Sequence, residues 1–89
     1  MALDGIKVLL ENPSHLRWAC RRGMLELDVL LGNFLDNKYP QLPDQQKILF
    51  IKLLDHPDPD IFAWLMGKEI PHDLEMQKIV EIIRGPQRI

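Results

Sequence analysis

Proline and glycine residues break this chain into short stretches, and each stretch has the apolar spacing of a helix. Apolar residues recur every three or four positions, whereas no alternation of apolar and polar residues persists, so the pattern predicts helices and no strands. A chain of 89 residues has room for one domain with a single small core. We therefore predict an all-α fold, a compact five-helix bundle in a single domain.

The predicted helices begin and end at capping residues. Asn12 and Asp58 are N-cap candidates, because each precedes a proline that suits a first helical turn. Gly23 has the position of a left-handed residue just after a helix, and Gly67 is a second stop signal. The five helices are predicted over about Pro13 to Arg22, Leu25 to Asn37, Pro43 to Asp55, the Asp58 cap to the Gly67 stop, and Asp73 to Arg84.

Apolar stripes on the last four helices predict the core. The third helix is apolar almost all round its axis, so we expect it to be the central and most buried element. The inward residues are predicted to be Leu27, Leu30, Leu31, Phe34 and Leu35; Ile48, Leu49, Phe50, Ile51, Leu53 and Leu54; Ile61, Phe62, Leu65 and Met66; and Met76, Ile79, Val80 and Ile83.

The ends of the chain are assigned outside the helical domain. Residues 13–85 form that domain, residues 1–12 are an N-terminal segment that is either mobile or an extra helical turn, and residues 86–89 are a tail. The apolar run from Ile6 to Leu10 is interrupted by Lys7 and is too short for a secretion signal or a membrane span. We therefore expect a cytoplasmic protein with no direct membrane insertion.

Charge and cysteine content exclude several classes of function. The net charge of −2 argues against a nucleic-acid partner, and a helix–turn–helix would place Glu26, Asp28 and Asp36 on the helix that faces phosphate. Cys20 is the only cysteine, so no internal disulfide forms and a reducing compartment is expected.

No convergent catalytic or metal-binding set can be assembled from the sequence. The histidines at 15, 56 and 72 lie at predicted helix starts or in loops, and the cluster of Asp55, His56, Asp58 and Asp60 is better explained by capping than by a metal. Because no glycine-rich phosphate loop follows a strand, we also predict no stably bound cofactor and no enzyme activity for this chain alone.

The junction "RWACRRGMLELD" allows two interpretations. In the first, Gly23 ends a helix, arginines complement the helix dipole, and Glu26 begins the next helix. In the second, the junction is a protein-binding surface, because three arginines exceed what one cap needs and Trp18 lies off the stripe of Leu16, Ala19 and Cys20. An exposed Trp18 favours the second; a Trp18 packed under the fifth helix or the N-terminal segment favours the first.

Two blocks of the sequence resemble a known family. "WACRRGMLELD" contains R-G-x-x-E at Arg22, Gly23 and Glu26, and "DPDIFAWLMG" contains an acidic D-P-D followed by an aromatic residue and a tryptophan. Together, from about His15 to Arg84, they are similar to the SdhE family of bacterial FAD assembly factors of succinate dehydrogenase, also described as flavinators. Pro43 departs from the Ser or Thr that relatives often carry at the start of the third helix.

The resemblance implies a five-helix bundle that promotes covalent attachment of FAD to a histidine of the succinate dehydrogenase flavoprotein subunit, and in some members of the fumarate reductase flavoprotein subunit. FAD would be held by that partner, and the small protein would act by positioning it. Some members of the family are described as antitoxins paired with a membrane-bound toxin, and delivery of free FAD is a further alternative.

The resemblance also implies roles for the junction residues. Arg22 would form charge-assisted hydrogen bonds to the flavoprotein, and Gly23 would let its backbone come close. Glu26 would either bind the partner or orient Arg22. The remaining contact residues would be Trp18, Arg17, Arg21 and Met24. The residues expected to be mainly structural, through capping and packing, are Asp58, Pro59, Asp60 and Trp64.

Overall fold

A computed structural model describes residues 10–85 of the chain. Its helices are α1 (Pro13–Ala19), α2 (Leu25–Asn37), α3 (Asp44–Leu53), α4 (Asp58–Leu65) and α5 (Leu74–Arg84), with a short 3-10 helix at Tyr39–Gln41. Leu10 and Glu11 are also helical. Because residues 10–85 contain five bounded α-helices and no strand, the all-α class is confirmed. Most of the predicted N-terminal segment and the whole predicted tail lie outside the described residues.

Helix α3 is the centre of the core, as its apolar pattern predicts. Phe50, Ile51 and Leu53 are fully buried, and α3 packs against α5, which also contacts α4. The rings of Phe34 and Tyr39 approach the ring of Phe50 with centroid distances of 5.1 and 5.4 Å. Aromatic side chains from α2, α3 and the 3-10 helix therefore meet at one point.

Helix α1 ends earlier than predicted. It stops at Ala19, so that only Arg17 lies in its last turn, and the amide of Arg21 donates to the carbonyl oxygen of Trp18 at 3.1 Å. Gly23 has the predicted positive φ of +87°, but it lies four residues past the end of α1 and is not its C′ residue. Residues 21–24 are instead a non-helical linker between α1 and α2, with a bend at Gly23.

The starts of α3 and α4 are built on prolines. Pro43 is the N-cap of α3, where its carbonyl oxygen accepts from the amides of Gln46 and Lys47 at 2.9 and 3.0 Å, so proline suits this position. Helix α4 begins one residue earlier than predicted, with Pro57 as N-cap, and the Asp58 side chain does not cap it. Met66, predicted to point inward, is the C-cap of α4 and is exposed.

The second and fifth helices have the predicted bounds. Asp73 caps α5 by accepting from the amide of Glu75 at 2.7 Å. Asn12 occupies the N-cap position of α1 without a capping hydrogen bond from its side chain. None of the helices in the described part of the chain is long and apolar enough to cross a membrane.

Candidate docking surface around Gly23

The linker between α1 and α2 is fixed to the rest of the molecule by Arg22. Its Nε donates to Oδ1 of Asp58 at 2.7 Å, and its two Nη atoms donate to the carbonyl oxygens of Leu54 at 2.6 Å and His56 at 2.9 Å. A longer contact of 3.4 Å reaches the carbonyl oxygen of Ala19. The guanidinium group thus ties the linker to the turn between α3 and α4.

Arginine suits this position because the carbonyl groups of Leu54, the C-cap of α3, and of His56, in the turn beyond it, have no partner within the helix. A planar guanidinium presents five N–H donors and can satisfy several carbonyl oxygens at once. The Arg22 side chain is only 18% exposed, and most of its donors are used within the chain. Within the described residues Arg22 therefore holds the linker in place, and its predicted hydrogen bonds to the flavoprotein stay a prediction.

The turn that receives Arg22 is itself well packed. Nδ1 of His56 lies 3.2 Å from the carbonyl oxygen of Lys52 and 3.3 Å from that of Leu53, at the end of α3. The His56 ring meets Trp64 of α4 edge-on, with ring centroids 5.2 Å apart. Asp58 and Trp64 are therefore structural, as predicted, although Asp58 acts through Arg22 and not as a cap.

A second contact holds the linker from the side of α2. Oδ1 of Asp28, in the first turns of α2, accepts from the backbone amide of Arg22 at 2.6 Å. Both the backbone and the side chain of Arg22 are therefore bound immediately before Gly23. A Cβ atom built on Gly23 would meet no atom of the described residues within 4 Å, so these residues leave its outer face open. The positive φ requires glycine here, whereas internal packing does not.

Glu26, in the first turn of α2, is exposed. Its carboxylate forms no hydrogen bond or ion pair with residues 10–85. The interpretation that Glu26 orients Arg22 is wrong, because Asp58 and the carbonyl oxygens do so. The alternative, direct contact with a partner, stays a prediction.

Trp18 is 72% exposed, which removes the alternative in which it packs under another helix. The Arg21 guanidinium carbon lies 6.0 Å from the centroid of its ring. Arg17, also exposed, pairs with Asp36 of α2. Three of the predicted surface residues therefore share one side of α1 and the linker.

Met24, also predicted to contact the partner, is less exposed than these three residues. It is the N-cap of α2, half-buried and packed against the core, so it supports the linker from within. Two surface residues were missed: Leu25 and Val29 are 77% and 52% exposed. They lie four residues apart and outside the apolar stripe of α2, which is the signal that identifies an exposed apolar pair.

Neither a reactive thiol nor a metal-binding cluster is present among the described residues of this surface. Cys20 is buried, and this burial raises the pKa of its thiol to about 11, so it is neither a ready nucleophile nor a metal ligand. Within residues 10–85 no three histidine, cysteine or acidic side chains are grouped so that they could hold a metal ion. The surface therefore offers shape, charge and apolar area for binding.

Comparison with known proteins gives a consistent result. Residues 14–87 match the model of a family described as "Flavinator of succinate dehydrogenase". A protein from Shewanella oneidensis named FAD assembly factor SdhE is 54% identical over 76 residues, which are 85% of this chain and 93% of that protein. Proteins of the same name from Colwellia psychrerythraea and Idiomarina loihiensis are each 46% identical, over 80 and 74 residues, or 90% and 83% of this chain and 88% and 82% of those proteins.

Proposed function

Since this chain belongs to the family of succinate dehydrogenase flavinators, we propose that it is an FAD assembly factor that binds the succinate dehydrogenase flavoprotein subunit and promotes covalent attachment of FAD to it. The family match spans residues 14–87 and therefore includes the whole candidate docking surface. That coverage is the observation that carries the proposal. The fumarate reductase flavoprotein subunit is proposed as a second partner, and the bacterial cytoplasm as the compartment.

Gly23 and Glu26 are proposed as the centre of the contact with the flavoprotein. The outer face of Gly23 is open, so a backbone segment of the partner can approach it within van der Waals distance. The Glu26 carboxylate, which the chain does not use itself, can accept hydrogen bonds from amide or guanidinium groups of the partner. The exposed Trp18 adds a large apolar contact area beside them.

The proposed mechanism is positioning. FAD is held by the flavoprotein, and this chain binds the subunit in the arrangement where the acceptor histidine and the flavin meet. Such orientation lowers the barrier to bond formation without a donated catalytic group. The raised pKa of Cys20 supports this division of roles, because the lone thiol stays protonated and does not act as a nucleophile.

Reconstitution tests this function. The purified flavoprotein subunit is incubated with FAD, with and without this chain, and covalently bound flavin is measured by in-gel fluorescence after denaturation. We expect the chain to raise covalent flavin at substoichiometric and stoichiometric ratios while itself remaining colourless after purification. Equal flavin attachment with and without the chain would refute the proposal, and a yellow purified chain would favour delivery of free FAD.

A further inference from the structure

A groove runs between α1 and α2, on the side of the molecule that carries Trp18. Its volume is about 1060 Å³. The outer face of α2 forms one wall with residues at helical spacing: Leu25, Val29, Gly32 and Asp36. Trp18 and Arg21 form the other side, and Tyr39 and Lys47 also line the groove. The exposed apolar residues of the α2 wall and Trp18 therefore face one shared space.

No contact within residues 10–85 explains why residue 32, in this wall, is a glycine. It lies in the middle of α2, where glycine is less favourable than alanine by roughly 1 kcal/mol. A Cβ atom built on it would meet no atom of residues 10–85 within 4 Å, so no side chain in that range requires its small size. Close approach of another backbone is the usual remaining reason for a glycine in such a wall.

The charges that border the groove favour an acidic occupant. Arg17 is paired with Asp36 across it. Arg21 and Lys47 form no ion pair with residues 10–85; each instead lies near an aromatic ring, at 6.0 and 5.4 Å from the ring centroids. Two cations without an acidic partner, beside apolar area, attract a segment that combines carboxylates with apolar side chains.

From these observations we infer that the groove between α1 and α2 binds an acidic segment of the flavoprotein partner, with its apolar side chains on Trp18 and Val29 and its backbone against Gly32. This inference rests on the proposed function and adds the chemistry of the bound segment. It extends the contact from Gly23 along the outer face of α2.

Charge reversal tests the acidic character of the occupant. The variant Arg21→Glu/Lys47→Glu is compared with Lys68→Glu/Lys78→Glu, which makes the same change in net charge at exposed lysines that do not line the groove. Thermal unfolding first establishes that both variants are folded. In titrations with the purified flavoprotein subunit at low salt, we expect the groove variant to raise Kd by roughly tenfold or more and the control by less than about threefold. An unchanged Kd in the groove variant, or an equal loss in the control, would overturn the inference.

A size series at Gly32 tests close approach. Gly32→Ala and Gly32→Leu place side chains into open space on a helix, so both are expected to fold at least as stably as the original chain. Binding to the flavoprotein subunit should nevertheless weaken stepwise from glycine to alanine to leucine. If leucine at this position leaves the affinity unchanged, no backbone lies against Gly32 and the inference fails.

Photo-crosslinking identifies the occupant. A benzoylphenylalanine residue replaces Val29 in the full chain, and mass spectrometry maps the adduct formed with the flavoprotein subunit present. An adduct on a flavoprotein peptide rich in Asp and Glu supports the inference. An adduct on a basic flavoprotein peptide, on a second copy of this chain or within this chain overturns it.

Failure of the groove assignment can be distinguished from failure of the proposed function. If the original chain neither binds the flavoprotein nor raises covalent flavin, the proposed function itself has failed. If the original chain does both and the groove variants match it, only the groove assignment is wrong.

Discussion

Arg22 Nε and Asp58 Oδ1 lie 2.7 Å apart although 36 positions separate the two residues in the chain. This pair joins the two sequence blocks that resemble the flavinator family into one structural unit. Arg22 carries the linker between α1 and α2, and Asp58 begins α4. The surface that displays Gly23 and Glu26 therefore depends on contacts made on the far side of the linker.

Replacing Arg22 should reduce stability. Arg22→Ala leaves the carbonyl oxygens of Leu54 and His56 and the Asp58 carboxylate without their donors, which we expect to lower the free energy of unfolding by about 2–4 kcal/mol. The melting temperature should fall by roughly 10 °C or more. Arg22→Lys should be intermediate, because an ammonium keeps the charge but not the planar fork.

The matched control for this prediction is Arg17→Ala, which breaks an exposed ion pair with Asp36 and should change the melting temperature little. A double-mutant cycle of Arg22→Ala with Asp58→Ala should show non-additive losses, since each variant alone removes the same contact. Thermal unfolding gives the melting temperatures, and urea unfolding at neutral pH gives the free energies for the cycle. Additive effects, or equal losses for Arg17 and Arg22, would contradict the structural role of Arg22.

Substitution of Gly23 should separate backbone strain from bulk. Any L-residue at φ +87° is strained by roughly 1–2 kcal/mol, so Gly23→Ala and Gly23→Arg should lose similar stability. Only arginine projects a large side chain from the open face, and it should reduce covalent flavin attachment at least tenfold while alanine keeps most of it. Flavin fluorescence of the denatured flavoprotein measures the difference. Equal attachment with the two variants would mean that no partner backbone approaches Gly23.

Neutralising Glu26 should affect function without affecting the fold. Its carboxylate has no partner among residues 10–85, so Glu26→Gln should unfold at the same temperature as the original chain. Loss of a charge-assisted hydrogen bond to the flavoprotein should weaken binding by about tenfold, which corresponds to roughly 1.4 kcal/mol. Glu69→Gln, at another exposed position, serves as the control and should bind normally. Isothermal titration with the flavoprotein subunit distinguishes the two.

Alkaline pH should destabilise the protein through Cys20. Burial raises the pKa of its thiol to about 11 from the ordinary value of 9.0, so the unfolded chain loses this proton first as the pH rises. Stability is therefore fully present below about pH 9 and should fall by about 2–3 kcal/mol towards pH 11.

A variant isolates this effect from that of tyrosine. Burial also raises the pKa of Tyr39, which adds loss of stability in the same direction at high pH. Cys20→Ala should flatten the decline between pH 9 and 10, whereas the original chain should keep it. Iodoacetamide should label Cys20 slowly in the native protein at pH 8 and rapidly in urea. Fast native labelling would show that the thiol is not shielded as the structure indicates.

Local sequence patterns predicted the elements whose signals are local. The bounds of α2 and the end of α5 at Arg84 agree with the structure, because apolar periodicity lies within each helix. The sequence left the burial of Trp18 open, and the structure decides it, because the side chain is 72% exposed. The core position of α3 followed from its nearly continuous apolar surface.

Such local patterns do not predict contacts between residues that lie far apart in the sequence. The structural role of Arg22 depends on the carbonyl oxygens of Leu54 and His56, in the turn after α3 and more than thirty positions away. The sequence placed Asp58 at a helix start but did not show that its carboxylate would bind Arg22 instead of its own helix. A single sequence does not show which cation pairs with which anion. The residue types of the site could therefore be predicted, whereas the hydrogen bonds between them had to come from the structure.

The hold of Arg22 on the turn after α3 also limits how this protein can be redesigned. A graft of R-G-x-x-E onto an unrelated helical hairpin would transfer the glycine and the glutamate but leave the arginine without its three acceptors. The transplanted loop would then adopt many conformations, and binding to a flavoprotein would have to select one of them. A minimal synthetic flavinator would need the hairpin of α3 and α4 as much as the motif itself.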